Sequence, residues 1–163
     1  MNTKEAIQSA MDMSLYVLNT YLSDLSDGDL LRRPGVGCNH LAWQLGHLIS
    51  SEVNLLNSVC PGKGAELPAG FAEQHSKETA GSDDANKFCK KQEYQDLFQK
   101  VRAATLKALA EIGDAELDQP SPEWIRATFP RVGQMFTLIG THPMMHAGQF
   151  VVVRRQLGKP VLM

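Results

Sequence analysis

Four stretches of the chain place an apolar side chain at every third or fourth position, and segments rich in proline and glycine separate them. The first, residues 3–26, carries Ile7, Met11, Leu15, Leu18, Leu22 and Leu25, the stripe of an amphipathic helix. Ser26-Asp27-Gly28-Asp29 breaks that period, and Arg32-Arg33-Pro34-Gly35-Val36-Gly37 continues as a turn-rich connector. A second helix is expected from an N-cap at Asn39 to about Val59, where Pro61 and Gly62 stop it. Leu41, Leu45, Leu48, Leu55 and Leu56 form its apolar line, while His40, Trp43, Gln44, His47, Ser51 and Asn54 form a more polar one. Tyr94, Leu97, Phe98, Val101, Thr105, Ala108 and Ile112 mark a third helix with Gly113 as its C-cap. The fourth runs through Met135, Leu138, Ile139, His142, His146, Gln149, Val153 and Leu157 to Gly158, with Pro160 just beyond. Pro143 lies inside it; an interior proline costs roughly 3 kcal/mol unless the helix kinks there or starts afresh at Thr141.

Four helices joined by irregular loops predict an all-α four-helix bundle with its core on the facing stripes. Between helices two and three, Cys60 to about Lys90 offers six glycines and prolines and no sustained period. A loop of this length calls for a crossover connection and candidate lid, or a mobile surface excursion; it has room for a short helix near residues 71–77. Pro120, Pro122 and Pro130 make residues 114–131 a second irregular connector.

The 163 residues suit one domain, 1–163, able to bury about 70% of its unfolded surface without a metal or disulfide. With 43% hydrophobic and 21% charged residues the composition is ordinary, and no apolar run approaches the ~20 residues of a membrane span. The N-terminus lacks the features of a secretory signal, so a cytoplasmic location and no membrane partner are expected. A net charge of -2 without a Lys/Arg stripe excludes the electrostatic footprint of a nucleic-acid binder. Cys38, Cys60 and Cys89 form no C-x-x-C pair and read as reduced thiols. Cys38 alone stands just before a helix start, where a thiolate can be stabilised.

Candidate chemistry gathers in the fourth helix. His142 and His146, four apart, lie roughly 40° from each other around a helix axis and ~6 Å along it, so both imidazoles reach one ion. A zincin would place a glutamate directly after the first histidine; Pro143 stands there, so that mechanism is excluded. A third ligand must come from another helix, and His47, in mid-helix among core positions, is the best placed. His40 is ~10 Å further along the axis, too far to share an ion with His47, and His75 falls in the long loop without geometric constraint. The plainer alternative for each histidine is a hydrogen-bonded core or surface residue.

Leu45-Gly46-His47-Leu48 followed by Glu52, His142-x-x-x-His146-Ala147-Gly148-Gln149, and Arg154-Arg155-Gln156-Leu157-Gly158-Lys159-Pro160 together resemble the DinB-like family of metalloenzymes. Leu30-x-x-Arg33-Pro34-Gly35 is in keeping, and the likeness covers nearly the whole chain. The resemblance implies an up-down-down-up arrangement in which His47, His142 and His146 bind a divalent metal, zinc or nickel. It further implies a thiol S-transferase-like activity on a small molecule, with a low-molecular-weight thiol deprotonated at the metal; a hydrolase that activates water is equally open. The competing reading is a non-catalytic or vestigial metal-binding bundle that serves as a binding or dimerisation module, a homodimer being the common symmetric assembly.

Around these ligands, Glu52 is turned roughly 140° from His47 and reads as a packing group. Gln149 can steady a ligand ring or a water. Gly148 is expected at a close helix approach, and Arg154 and Arg155 near the helix end are expected to complement its dipole. Trp43 and Phe150 read as core. Because ligation needs neutral imidazoles, metal is expected to leave below pH ~6.5.

Overall fold

The computed structural model describes residues Met1–Met163 and is all-helical, with seven helices and no strand. Four are long: α1 (Thr3–Leu22), α2 (Leu41–Val59), α4 (Lys91–Glu111) and α7 (Val132–Gln156). The short α3 (Phe71–Gln74) lies in the connection between α2 and α4, and α5 (Asp114–Leu117) and α6 (Glu123–Arg126) lie in the one between α4 and α7.

α1, α2 and α4 bury most of the stripe read from their sequence, whereas α7 buries a neighbouring face through Phe136, Gly140, Pro143, Ala147 and Phe150 and leaves Leu138, His142, His146, Gln149 and Leu157 half-buried. The helix ends differ from expectation for local reasons. Asn2 caps α1 by accepting from the Glu5 N–H. Its other end comes at Leu22 rather than residue 26, because Lys91 Nζ donates to the carbonyls of Ser23 (3.2 Å) and Leu25 (2.6 Å) and so satisfies the turn that follows. Leu25 stays buried beyond the helix. The cap of α2 is His40, not Asn39: its Nδ1 accepts from the Trp43 N–H at 3.0 Å. Gly113 does not close α4 in a left-handed turn but precedes α5, its N–H donating to Glu116 Oε2 at 2.8 Å. α7 ends as expected, with Gly158 at φ 67°, a conformation glycine adopts at no steric cost.

The directions of the helices follow from who meets whom. Met11 opposes Gly140 and Tyr21 opposes Arg154, so α1 and α7 run the same way. Gln44 meets Gln149 while His47 meets His142, so α2 runs against α7. Glu52 binds Arg102, and Lys63 just past α2 binds Glu111, so α2 and α4 run together. α1 packs most extensively against α7, and a Cβ on Gly140 would fall 2.9 Å from Met11 Cγ and 3.5 Å from the Met11 nitrogen. Gly148, assigned to such an approach from sequence, instead faces open space, because it falls on the solvent side of α7.

One buried ion pair, and a second between a buried arginine and an exposed aspartate, tie these elements. Arg102 donates to Glu52 Oε2 at 2.9 Å and to the Met11 carbonyl at 3.1 Å, while Thr105 Oγ1 donates to Glu52 Oε1 at 2.7 Å. Glu52 and Arg102 are each 3% exposed. Burial raises the Glu52 carboxyl above the ordinary carboxylate range, against the pull of Arg102 and Thr105. Arg154 corrects a second expectation. It is wholly buried and donates to the Tyr21 and Pro160 carbonyls at 2.8 and 2.9 Å and to the Asp24 carboxylate, so it anchors the C-terminal tail to the end of α1. Arg155 alone keeps the exposed position that a dipole role requires.

The connection over residues 60–90 is packed, not a free excursion. Phe71 and Phe88 enter the larger apolar cluster, and His75 is 3% exposed. His75 Nδ1 bonds the Phe71 carbonyl at 2.8 Å and its Nε2 the Tyr94 hydroxyl at 2.7 Å, so this histidine is tightly constrained. Arg33 donates to the carbonyls of Ala80 (3.1 Å) and Ser82 (3.3 Å) and to the Asp83 carboxylate (2.7 Å), and His40 Nε2 meets the Ser82 carbonyl at 3.1 Å. Gly46 makes room for the connection: a Cβ there would lie 2.0 Å from His75 Cδ2.

Two substitutions test this framework. Glu52→Ala leaves the Arg102 charge buried and should cost about 3–5 kcal/mol, read as a lower urea midpoint at unchanged slope; an unaltered midpoint would mean the pair is solvated. Gly46→Ala should expel His75 and make residues 76–83 sensitive to limited proteolysis, with a loss of about 1–3 kcal/mol from overpacking.

Candidate metal centre

α7 runs without interruption through Pro143, so neither restart nor helix break is needed. The ring removes only the N–H that would have reached the Ile139 carbonyl, and Pro143 is itself buried. Unbroken helix keeps His142 and His146 on one face, with ring centroids 5.0 Å apart. From α2, His47 comes to 5.3 Å from the His142 ring and 5.5 Å from the His146 ring. One ligand atom from each histidine lies within 4.8 Å of the others. Nitrogens bonded to one ion at ~2.0–2.1 Å lie up to about 4.2 Å apart, so the three rings need to close by only a small side-chain adjustment.

The trio is half-buried. Burial lowers the pKa of all three: His47 below the ordinary histidine value, and His142 and His146 to about 4, where repulsion between the rings adds to the loss of solvent. All three are therefore neutral at pH 7, with lone pairs free for a cation. This also shifts the expected pH window. Protons compete with metal at His142 and His146 only near pH 4, so retention below 6.5 is compatible with imidazole ligands.

Two neighbours on α2 hold the cluster. The indole of Trp43 stacks on His47 with centroids 5.1 Å apart and planes 7° from parallel, and its Nε1–H donates to the Ser76 carbonyl at 2.8 Å. Trp43 and Phe150 both lie in the core, as their patterns suggested. Gln44, one position on, meets His146 Nδ1 through Oε1 at 2.8 Å. Its Nε2 donates to the Asn39 carbonyl at 2.7 Å and to Gln149 Oε1 at 3.0 Å. Gln149 thus supports the site through Gln44 rather than by touching a ligand ring. Sequence reasoning missed Gln44, although its place three residues before His47 on the polar line was a usable signal.

The other candidates lie apart from the trio. His40 and His75 are neutral, buried structural residues, lowered by burial. Cys38, Cys60 and Cys89 are free thiols outside the cluster, and burial raises Cys60 and Cys89. Glu52 belongs to the Arg102 pair and supplies no ligand. None of the five surface clefts is lined by His47, His142 or His146; each of the three is partly exposed to solvent.

The model of the DinB superfamily matches residues 10–150. The chain belongs to the DinB superfamily. Among solved structures, the DinB-superfamily chain is similar to a conserved protein from Enterococcus faecalis, with a TM-score of 0.72 and 18% identity over 98% of this chain and 99% of the other. At that identity the likeness concerns the fold. No curated protein matches. No helix of this family member is long and apolar enough to cross a membrane.

The lowered histidines make the metal-free protein pH-sensitive. A group that binds its proton less readily folded than unfolded contributes stability present above ~6.5 and lost as pH falls through its folded value. The apoprotein's melting temperature should thus fall between pH ~6.5 and about 4, and His142→Gln should flatten that slope. A wild-type profile level across this interval would show the rings protonated as freely as in the unfolded chain.

Proposed function

We propose that this member of the DinB superfamily is a single-domain, divalent-metal protein whose long helices form an up-down-down-up four-helix bundle, with His47, His142 and His146 as the ligands and zinc or nickel as the ion. The observation that carries the reading is the convergence of three neutral imidazoles from two helices. Imidazole donors suit zinc, nickel, iron and copper, and no carboxylate joins the cluster, which disfavours magnesium or calcium. The residues present therefore fit the group.

The activity proposed is that of a metal-dependent thiol S-transferase or hydrolase on a small molecule. When bound, the metal supplies Lewis acidity at the coordination positions the protein leaves open, lowering the pKa of a thiol or water there. The chain's own residues hold the three imidazoles neutral by burial, orient His47 with Trp43 and His146 with Gln44, and leave the solvent side uncovered for an incoming ligand. A second reading, a metal-binding module without catalysis, is favoured by one observation. Small-molecule sites are usually concave, on the order of 300–1,000 Å³, and no such cleft contains the trio.

Metal content measured by mass spectrometry, on protein purified without added metal or a histidine tag, decides the first point. Near-stoichiometric metal is expected in the wild type, reduced about tenfold or more in His47→Ala, His142→Ala and His146→Ala; a wild type that stays empty after incubation with divalent ions sinks the proposal. Cobalt-substituted protein then separates the two readings. A thiol that shifts its visible spectrum supports the S-transferase, and insensitivity to both thiols and hydroxide supports the module.

A further inference from the structure

Of the three imidazole rings, those of His47 and His142 make no hydrogen bond to the protein, while that of His146 makes one, to Gln44. That contact has only one consistent assignment. The Asn39 carbonyl is an acceptor that cannot be turned into a donor, and it lies 2.7 Å from one end of the Gln44 amide; that end must be the NH2. The opposite end is then the carbonyl oxygen, which accepts, so the His146 Nδ1 at 2.8 Å carries the proton. Reversing the amide would press its oxygen against the Asn39 oxygen and leave two acceptors facing. The same NH2 reaches Gln149 Oε1 at 3.0 Å, so α7 returns a second tie to the amide that steadies its own histidine.

From this chain of bonds we infer that Gln44 is a positioning residue for the metal centre: it keeps the His146 proton on Nδ1, which leaves Nε2 as the ring nitrogen with a free lone pair for the ion. The inference rests on the metal-site reading above and deepens it. An imidazole free to exchange tautomers presents the correct nitrogen for only part of the time, and free to rotate it pays entropy on ligation; partners behind a ligand histidine commonly govern affinity by 10–100-fold. Carboxylates often fill this place behind a metal-bound histidine. Here a neutral amide does, backed by a backbone carbonyl and a second amide, so the orienting group adds no negative charge to the site.

The test uses the whole chain, labelled with 15N-histidine. In metal-free wild type at pH 7, long-range 1H–15N spectra should show His146 protonated at Nδ1, whereas the Nε2-protonated form would overturn the assignment. Gln44→Leu keeps the bulk but removes the acceptor, and should give a tautomer mixture and weaken zinc, measured by chelator competition, about 10–100-fold. Gln149→Leu leaves the Asn39 tie and should cost less than Gln44→Leu. If Gln44→Leu does not fold, Gln44→Met serves the same comparison. Zinc affinity within about threefold of wild type with His146 still protonated at Nδ1 overturns the role of Gln44 while leaving the metal site intact. A wild type that binds no zinc refutes the site itself, and the tautomer spectrum still judges the relay.

Discussion

The Arg102 guanidinium is the point through which three of the four long helices are held to each other. It projects from α4, binds the Glu52 carboxylate of α2 and caps the Met11 carbonyl of α1. A charge buried to this degree is stable only with its partner in place, so the axial position of α2 against α4 has little freedom. His47 lies five residues before Glu52 on the same helix, and its height opposite His142 and His146 is marked by the bonds of Gln44 to Gln149 and His146. Arg102 Nε finds no partner, a cost that the rest of the network outweighs.

The candidate centre is built almost wholly from uncharged groups. Between Val132 and Val153, α7 contains no Asp, Glu, Lys or Arg, and Glu52 is the only such residue in α2. Burial of three imidazoles in this neutral setting keeps them deprotonated, which is the state a cation requires. A nearby carboxylate would have raised their pKa and favoured protons. The price is paid by the apoprotein, whose clustered rings gain nothing from each other until an ion joins them.

The long connection between α2 and α4 reaches this centre at one remove. The Ser76 carbonyl accepts a hydrogen bond from the Trp43 indole N–H, and Trp43 stacks on His47. One turn later on α2, Gly46 lets the His75 ring lie against the helix backbone, and the His75–Tyr94 bond locks that placement to α4. His40 caps α2 with one ring nitrogen and holds Ser82 with the other. Two histidines outside the candidate centre thus secure the connection that supports it, and their neutrality is a matter of packing.

The apolar period of each long helix, the stops at Pro61 and Gly158, and the i, i+4 pair of His142 and His146 are consequences of local spacing, so the sequence by itself determined the helices and two of the candidate ligands. His47 was legible as the one remaining histidine in mid-helix, and the DinB likeness was carried by motifs in order. What only the tertiary structure decided were contacts between residues distant along the chain, which no local period encodes. Gln44 is an ordinary polar residue until Asn39, Gln149 and His146 surround it. Arg154 reads as an exposed helix-end cation until Asp24 and two carbonyls enclose it. His75 reads as a loop residue until Gly46 and Tyr94 fix it. The close approach belonged to Gly140 and not Gly148, because which face of a helix meets its neighbour depends on where the neighbour is.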